Sequence, residues 1–362
     1  MDIQSTKTLA DVYYFQLNNH PRKDAFTQKE NNKWVSLSSK EFTEKSVKLS
    51  LGLIDLGIVK GDRIAVVSNN RIEWHLTDLA IQQIGAVNVP IYSNINPEDY
   101  TYILNDCGAR VIFISDAEIL KKILSVKSSL TSVEYIFTYN QIEGAKNYAD
   151  LLSNNDDISE IEKLRKTVSE DDLATLIYTS GTTGNPKGVM LTHKNLISNV
   201  IASSHRLPMG DDLKALSFLP LCHVFERMLD YLYILKSVSI YYAESIDTIG
   251  DDLKDVKPHF FATVPRLLEK VYDKIVAKGT DLTGVKKKLF FWALELGLQF
   301  DPNIDKGFWY NFQLSLANKI IFSKWREALG GNIIAVVSGG AALQPRLARV
   351  FTAARMHIME GY

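Results

Sequence analysis

A glycine- and threonine-rich segment, residues 178–188, carries the side chains best suited to chemistry. It reads Tyr-Thr-Ser-Gly-Thr-Thr-Gly-Asn-Pro-Lys-Gly and follows an apolar stretch typical of a strand. Glycines let a backbone turn tightly and bring its N–H groups close to an anion. Hydroxyls can donate to phosphate oxygens, and a lysine adds a positive charge. The segment therefore predicts a polyphosphate cradle formed by Thr179, Ser180, Gly181, Thr182, Thr183, Gly184 and Lys187.

This loop differs from the common nucleotide-binding loop. The Walker A spacing is absent, because no Gly-Lys-Ser/Thr follows Gly181 at the required distance. A solvated glycine-rich turn remains the plain alternative, since short glycine motifs also occur by chance. On the loop alone, both interpretations stay open.

Short apolar strands alternate with helices on both sides of the loop. Ser38 with Glu41 predicts a capping box, and Asn96-Pro97 predicts a second helix start. The predicted strands cover residues 64–68, 87–92, 111–114, 135–137, 173–178, 215–219, 239–243, 259–264 and 333–338. Such alternation is typical of an α/β fold in which mostly parallel sheets are covered by helices on both faces.

The pattern predicts two α/β lobes. The first covers residues 1–170 and ends in a polar, acidic surface connection at 141–170. The second covers residues 171–362 and carries the loop. A chain of 362 residues is long enough for two such units.

The composition restricts the possible partners and compartments. With 41 basic and 42 acidic residues the net charge is −1, so nothing favours nucleic-acid binding. Two cysteines, Cys107 and Cys222, do not suggest a disulfide framework, and they favour a reducing, cytoplasmic location. The first residues do not resemble a secretory signal, and no apolar run of about 18 residues suggests a membrane-spanning helix.

The ordered string at 178–188 closely resembles the signature of adenylate-forming enzymes, which include acyl-CoA synthetases, luciferases and amino-acid-activating domains. Four further segments resemble the family's motifs in the family's order: 220–227, 263–270, 338–343 and 360–362. The resemblance extends from residue 34 to residue 362. It implies the large N-terminal domain of such an enzyme, with ATP, Mg²⁺ and coenzyme A as cofactors.

The resemblance also implies roles for single residues. Thr179 matches a hydroxyl ligand of Mg²⁺, and His223 matches a catalytic residue near the substrate carboxylate and the α-phosphate; a structural histidine is the alternative. The adenine side of the site would be formed by Gly339, Gly340, Ala341, Glu360, Gly361 and Tyr362. Glu226 with Arg227 is interpreted as an internal ion pair.

The family string continues beyond Gly361-Tyr362 with a Mg²⁺-binding glutamate, which this sequence does not reach. A ribose-binding aspartate, a hinge and a small C-terminal lid domain with a catalytic lysine are also expected in the family and absent. We therefore expect a truncated fragment that binds nucleotide weakly and has little activity.

Two places resemble bacterial long-chain fatty acyl-CoA synthetases: residues 223–227 with 263–270, and residues 285–297 with 308–310. The expected substrate is a long-chain fatty acid. A related enzyme acting on an aryl or amino acid, and a nucleotide-binding module without activity, remain alternatives. Residues 285–300 could form a basic amphipathic helix that gives peripheral contact with the inner face of the membrane, or an ordinary core-facing helix.

Overall fold

A computed structural model describes residues 3–155, 158–179 and 184–361 of the chain. The chain divides into two compact units. The first unit contains Met1–Asp212 and Pro220–Tyr242, and the second contains Leu213–Leu219 and Ala243–Tyr362. In the described part of the chain, no helix is both long enough and apolar enough to cross a membrane.

Helices and strands alternate along most of the chain. In chain order they are α1 (Leu9–Asn19), β1 (Phe26–Glu30), β2 (Lys33–Leu37), α2 (Ser39–Asp55), β3 (Arg63–Val67), α3 (Ile72–Gln83), β4 (Val87–Ile91), α4 (Pro97–Cys107), β5 (Ala109–Ile114), α5 (Ala117–Ser125), β6 (Tyr135–Thr138), α6 (Ser159–Lys166), β7 (Leu173–Thr179), β8 (Lys187–Thr192), α7 (His193–Ser204), β9 (Lys214–Ser217), α8 (Val224–Leu235), β10 (Ser239–Tyr242), α9 (Ile249–Val256), β11 (Phe260–Thr263), α10 (Pro265–Thr280), α11 (Gly284–Leu298), α12 (Phe308–Ala317), α13 (Ser323–Ala328), β12 (Ala335–Ser338), α14 (Pro345–Ala353) and β13 (His357–Glu360).

The first unit is built on a sheet with strand order β6-β5-β3-β4-β7-β8. All its neighbours pair in parallel except β7 and β8, which are antiparallel. The same unit contains β10, β1 and β2, in which β1 pairs in parallel with β10 and antiparallel with β2. In the second unit, β13, β12, β11 and β9 pair in parallel in that order. The predicted α/β class is confirmed.

Local sequence signals position several helices. Ser38 and Glu41 form the predicted capping box at the start of α2, with the Ser38 N–H donating to the Glu41 carboxylate at 2.9 Å. Asn96 accepts from the Asp99 N–H at 2.7 Å and Pro97 begins α4. Each cap satisfies backbone groups that the first helical turn leaves unpaired.

The division of the chain differs from the predicted boundary at 170/171. Residues 171–212 belong to the first unit, because β7 pairs with β4 at Thr175 and Asn88 and so continues the first sheet. The stretch at 141–170, predicted as a connection, contains the helix α6. Helix α6 itself has little apolar content, and Ile161 is the one buried residue of that helix, so the apolar periodicity gave little signal for it.

A buried polar cluster crosses the core of the first unit. Arg227 on α8 donates to the Asp78 carboxylate on α3 at 2.6 Å, to the Thr175 hydroxyl at 2.8 Å and to the Tyr231 hydroxyl at 2.8 Å. Arg227 and Asp78 are both fully buried. Arg227 is therefore an internal ion-pair residue, and it pairs with Asp78 on α3. A buried charge requires such a partner because desolvation alone would be costly.

Candidate functional site

The predicted phosphate loop joins two paired strand ends. Thr179 is the last residue of β7 and Lys187 the first of β8, and the two lie opposite each other in the antiparallel pair. Both side chains are exposed. Gly184 adopts a φ of 127°, a conformation available to glycine and strained for other residues. Ser180, Gly181, Thr182 and Thr183 lie outside the described residues.

Tyr178 fixes the strands on either side of the loop. Its hydroxyl donates to the Asp106 carboxylate at the end of α4 across 2.5 Å. A Cβ atom added at Gly188 on β8 would lie 3.1 Å from Cζ of the Tyr178 ring, so the absent side chain makes room for this ring. The hydrogen bond from Tyr178 to Asp106 thus links β7 to α4, and the close packing of the Tyr178 ring on Gly188 adds β8 to this contact. Sequence reasoning did not assign either Tyr178 or Asp106 a function beyond the motif, since their contact joins distant segments.

His223 lies at the N-cap of α8, where its Nδ1 accepts a long hydrogen bond of 3.4 Å from the Phe225 N–H. Partial burial lowers the pKa of the His223 imidazole, which favours the neutral form. With Nδ1 as acceptor, the proton of the neutral ring lies on Nε2. The preceding turn is held by Asn70, whose side-chain oxygen accepts from the Leu221 N–H at 3.1 Å. This geometry leaves an N–H donor at the helix start, a position that favours anions.

Thr179 and His223 line the same cavity, although they are far apart in the sequence. The cavity has a volume of about 460 Å³. Its described lining includes Pro186 from the loop, Tyr92 after β4, and Cys222. Burial raises the pKa of the Cys222 thiol to about 12, so this thiol is neutral and not a ready nucleophile. The structure therefore brings together the end of the predicted phosphate loop and the predicted catalytic histidine.

In the second unit, the two predicted adenine-side segments meet at one edge of the sheet. β12 and β13 are parallel neighbours with Ser338 opposite Glu360. The Gly361 N–H donates to the Ser338 carbonyl at 2.8 Å. Gly339 and Gly340 follow at the same edge, with Gly340 at a φ of 78°. Ala341 continues this segment, and Tyr362 lies outside the described residues.

A second cavity, of about 380 Å³, lies within the second unit. Its lining comes mainly from apolar side chains of α9, α10, the strands and α14, among them Phe261, Leu268, Val271 and Phe351. Asp247, the one acidic residue of its described lining, is exposed. Its apolar wall fits an alkyl chain, and three exposed lysines, Lys254, Lys274 and Lys278, also border the cavity.

The sequence-based metal prediction rests on the Thr179 hydroxyl. No group of three His, Cys, Asp or Glu side chains among the described residues could hold a metal ion. The Thr179 hydroxyl at the cavity still fits Mg²⁺, because this ion commonly uses one or two protein ligands together with phosphate oxygens and water.

Comparison with known proteins gives a consistent result. The sequence model of the AMP-binding enzyme family matches residues 14–362. A long-chain-fatty-acid–CoA ligase of Mycobacterium bovis is 32% identical over 338 residues, covering 91% of this chain and 56% of that protein. Fatty acyl-CoA synthetase A of Dictyostelium discoideum is also 32% identical, covering 89% of this chain and 48% of that protein. The chain thus spans about half the length of these curated relatives.

Two solved structures share the fold at low sequence identity. A long-chain-fatty-acid–CoA ligase of Archaeoglobus fulgidus is similar with a TM-score of 0.72 and 20% identity, over 98% of this chain and 64% of that one. The N-terminal domain of FACL13 from Mycobacterium tuberculosis is similar with a TM-score of 0.70 and 19% identity, over 99% of this chain and 76% of that one.

Proposed function

This chain belongs to the AMP-binding enzyme family, and from this premise we propose that it carries the ATP and fatty-acid sites of a long-chain fatty acid–CoA ligase. One observation carries the proposal: Thr179, at the end of the predicted phosphate loop, and His223, an imidazole donor at a helix start, line one cavity. A phosphate-binding loop alone would fit many nucleotide sites. A donor for a second anion beside it fits a reaction in which two anions must approach each other.

The proposed reaction has two steps. A fatty-acid carboxylate oxygen attacks the α-phosphorus of ATP, and the bond to pyrophosphate breaks, which gives an acyl-adenylate. The thiol of coenzyme A then attacks the acyl carbon and AMP leaves. The first step is difficult because both reactants are negatively charged, so fixed donors and Mg²⁺ must offset the repulsion.

Each candidate residue has a place in that chemistry. Lys187 and the loop hydroxyls would hold the β- and γ-phosphates, and Thr179 would contribute a hydroxyl ligand to Mg²⁺. The Nε2–H of His223 would donate to the attacking carboxylate or to an α-phosphate oxygen. On the adenine side, the glycine edge at Gly339 and Gly340 lets the base approach the backbone, and Tyr362 would stack on it.

The choice of a long acyl chain rests on the names of the relatives and on the apolar cavity in the second unit. An amino acid substrate would need a buried carboxylate to pair with its ammonium group. The exposed position of Asp247 makes it a poor candidate for that role. A long alkyl chain, in contrast, would gain from removing apolar surface from water.

A binding experiment with stable adenylate analogues tests the proposal without requiring turnover. Palmitoyl, benzoyl and leucyl sulfamoyl-adenosine would be titrated into the protein by calorimetry. We expect the palmitoyl analogue to bind at least about tenfold more tightly than the others, because only its chain fills the apolar cavity. Equal or tighter binding of the benzoyl or leucyl analogue would contradict the proposed substrate.

Two variants of α10 sharpen this test. Val271 is half-buried and lines the apolar cavity, whereas Asp273 on the same helix is exposed. Val271→Trp should weaken the palmitoyl analogue and leave the benzoyl analogue nearly unchanged. Asp273→Trp adds the same side chain outside the cavity, so it should bind all three analogues as the parent protein does. If both variants weaken binding of the palmitoyl analogue equally, the acyl chain does not occupy the apolar cavity of the second unit.

A further inference from the structure

Helix α12 presents its apolar face to the outside of the second unit. Its ten residues include no charged side chain, and Ala317 is the one that is buried. Phe308 is 84% exposed, Trp309 67% and Phe312 52%. A surface helix of a globular protein normally turns its apolar stripe to the core and its polar face to water. In α12, four large apolar side chains instead lie on the side that faces solvent.

The exposed residues form one continuous stripe, which we call the aromatic stripe: Phe308, Trp309, Phe312 and Leu316. Spacings of three and four residues place them on one side of a helix. The Phe312 ring stacks on Trp309 at 5.7 Å between centroids and on Phe308 at 6.4 Å. The stripe is thus an ordered apolar surface.

The opposite face of α12 is fixed to α11. The Tyr310 hydroxyl donates to the Leu296 carbonyl at 2.7 Å, and the Trp292 indole N–H donates to Gln313 at 3.3 Å. These two hydrogen bonds set the rotation of α12 about its axis. The exposure of the aromatic stripe is therefore a property of the packed unit.

Lysines flank the stripe. Lys306 precedes α12, and Lys319 lies one helical turn beyond Leu316; both are exposed. Asp305, the nearest acid in the sequence, is engaged with the Gly307 N–H at 2.9 Å and the Asn311 amide at 3.0 Å. An apolar aromatic surface with cations at both ends matches the interfacial layer of a bilayer that carries negative lipid headgroups.

Helix α11 covers most of residues 285–300, for which the sequence left a membrane-surface role and a core-facing role open. α11 buries Phe290, Ala293, Leu294, Leu296 and Gly297, as a core-facing helix does. Its exposed Lys286 and Lys288 add positive charge to the same unit. At about 15 Å, α12 is long enough to lie in the interface and too short to span a bilayer.

We propose that the aromatic stripe of α12 inserts into the headgroup region of bilayers containing anionic phospholipids, with Lys306 and Lys319 contacting the headgroups. The contact is peripheral and electrostatically assisted. It is independent of the ligase chemistry proposed above, since it uses neither the phosphate loop nor the two cavities.

Vesicle co-sedimentation tests this contact directly. The protein would be mixed at low and at high salt with vesicles of phosphatidylcholine alone or mixed with phosphatidylglycerol. We expect binding to the mixed vesicles that weakens with salt, and little binding to phosphatidylcholine alone. Absence of binding at low salt, or equal binding to both vesicles, would overturn the proposal.

Charge and apolar contributions can be separated by variants. The double variant Phe308→Glu/Phe312→Glu should lose binding by about tenfold or more, because it places charge in the stripe. The double variant Lys306→Glu/Lys319→Glu should bind the mixed vesicles more weakly, with a loss of affinity of about fivefold for each lysine. Val59→Glu and Lys121→Glu/Lys163→Glu change exposed residues of the first unit and should bind as the parent protein does. Equal loss in these controls would show a nonspecific charge effect and overturn the proposal.

A measurement on the unaltered chain locates the insertion. Brominated phosphatidylcholine in the mixed vesicles should quench the fluorescence of Trp309. Trp309→Phe keeps an aromatic side chain in the stripe, so it should still bind but lose that quenching. If quenching persists in Trp309→Phe, or if the stripe instead drives concentration-dependent dimers without vesicle binding, the bilayer assignment is wrong.

Discussion

The Arg227 guanidinium donates a 2.6 Å hydrogen bond to the Asp78 carboxylate, and neither side chain is exposed to solvent. This contact joins α8 to α3. The backbone N–H of Arg227 also donates to the backbone carbonyl of His223, one turn earlier at the start of α8. The buried ion pair and the cavity histidine therefore share one helix, and the pair sets the position of the histidine.

Asp78→Asn should strongly destabilise the protein. The substitution keeps the size of the side chain but leaves the Arg227 charge buried without a counter-charge, which typically costs about 3–5 kcal/mol. The free energy of unfolding in urea measures this loss.

The matched control for Asp78→Asn is Lys40→Met, which removes a pair on the surface. Lys40 lies 3.8 Å from Glu44 and both side chains are exposed, so the loss should be below about 1 kcal/mol. If Asp78→Asn is no more destabilising than Lys40→Met, the ion pair does not hold α8 in place.

Two substitutions of His223 distinguish its capping role from its proposed chemical role. Asparagine is also a good N-cap, so His223→Asn should retain stability, whereas His223→Ala should lose about 1 kcal/mol. Both variants lose the Nε2–H donor, so both should bind the palmitoyl adenylate analogue several-fold more weakly. Thermal unfolding and calorimetry measure the two effects. Full binding by His223→Asn would show that the histidine serves only the helix.

Lys187→Ala should reduce ATP affinity by about tenfold and leave AMP affinity nearly unchanged, because the lysine is proposed to meet the β- and γ-phosphates. Calorimetric titration with each nucleotide measures the difference. Lys146→Ala removes another lysine of the first unit, outside the loop, and should leave both affinities as they are. Equal weakening of ATP and AMP in Lys187→Ala would place its charge elsewhere in the site.

The features predicted from the sequence are those with local signals. Ser38 with Glu41, and Asn96 with Pro97, specify helix starts through contacts within one turn. The glycines and hydroxyls of residues 178–188 are contiguous, so the sequence alone suffices to predict a phosphate loop there. The strands β3 to β7 are short buried apolar runs, which periodicity detects.

The features that were missed depend on long-range contacts. Asp78 and Arg227 are separated by 149 positions, and Tyr178 and Asp106 by 72. In both pairs, the sequence around one residue gives no sign of which distant residue it contacts. The strand β8 was missed because its residues are mostly exposed at the edge of the sheet, so the apolar pattern that marks a buried strand is weak there.

His193 should make stability depend on pH. Its Nδ1 accepts from the Leu9 N–H at 3.1 Å within the first unit, and burial lowers the pKa of the ring to about 4. The unfolded chain, with a pKa near the usual value of about 6.5, takes up a proton that the folded protein does not take up until about pH 4. Stability should therefore fall as pH decreases between these values, by up to about 1.4 kcal/mol per pH unit for this group. Urea unfolding at several pH values measures the slope.

The variant His193→Asn removes the titrating group but keeps an acceptor close to the position of Nδ1. It should flatten the fall in stability with acid, although the buried His75, whose pKa burial lowers to about 3, still contributes a slope of the same sign. His205→Asn makes the same exchange at an exposed histidine of the first unit and is the control for the substitution itself. A profile for His193→Asn as steep as that of the parent would mean that His193 does not remain neutral in the folded protein, and that its contact with Leu9 does not resist protonation.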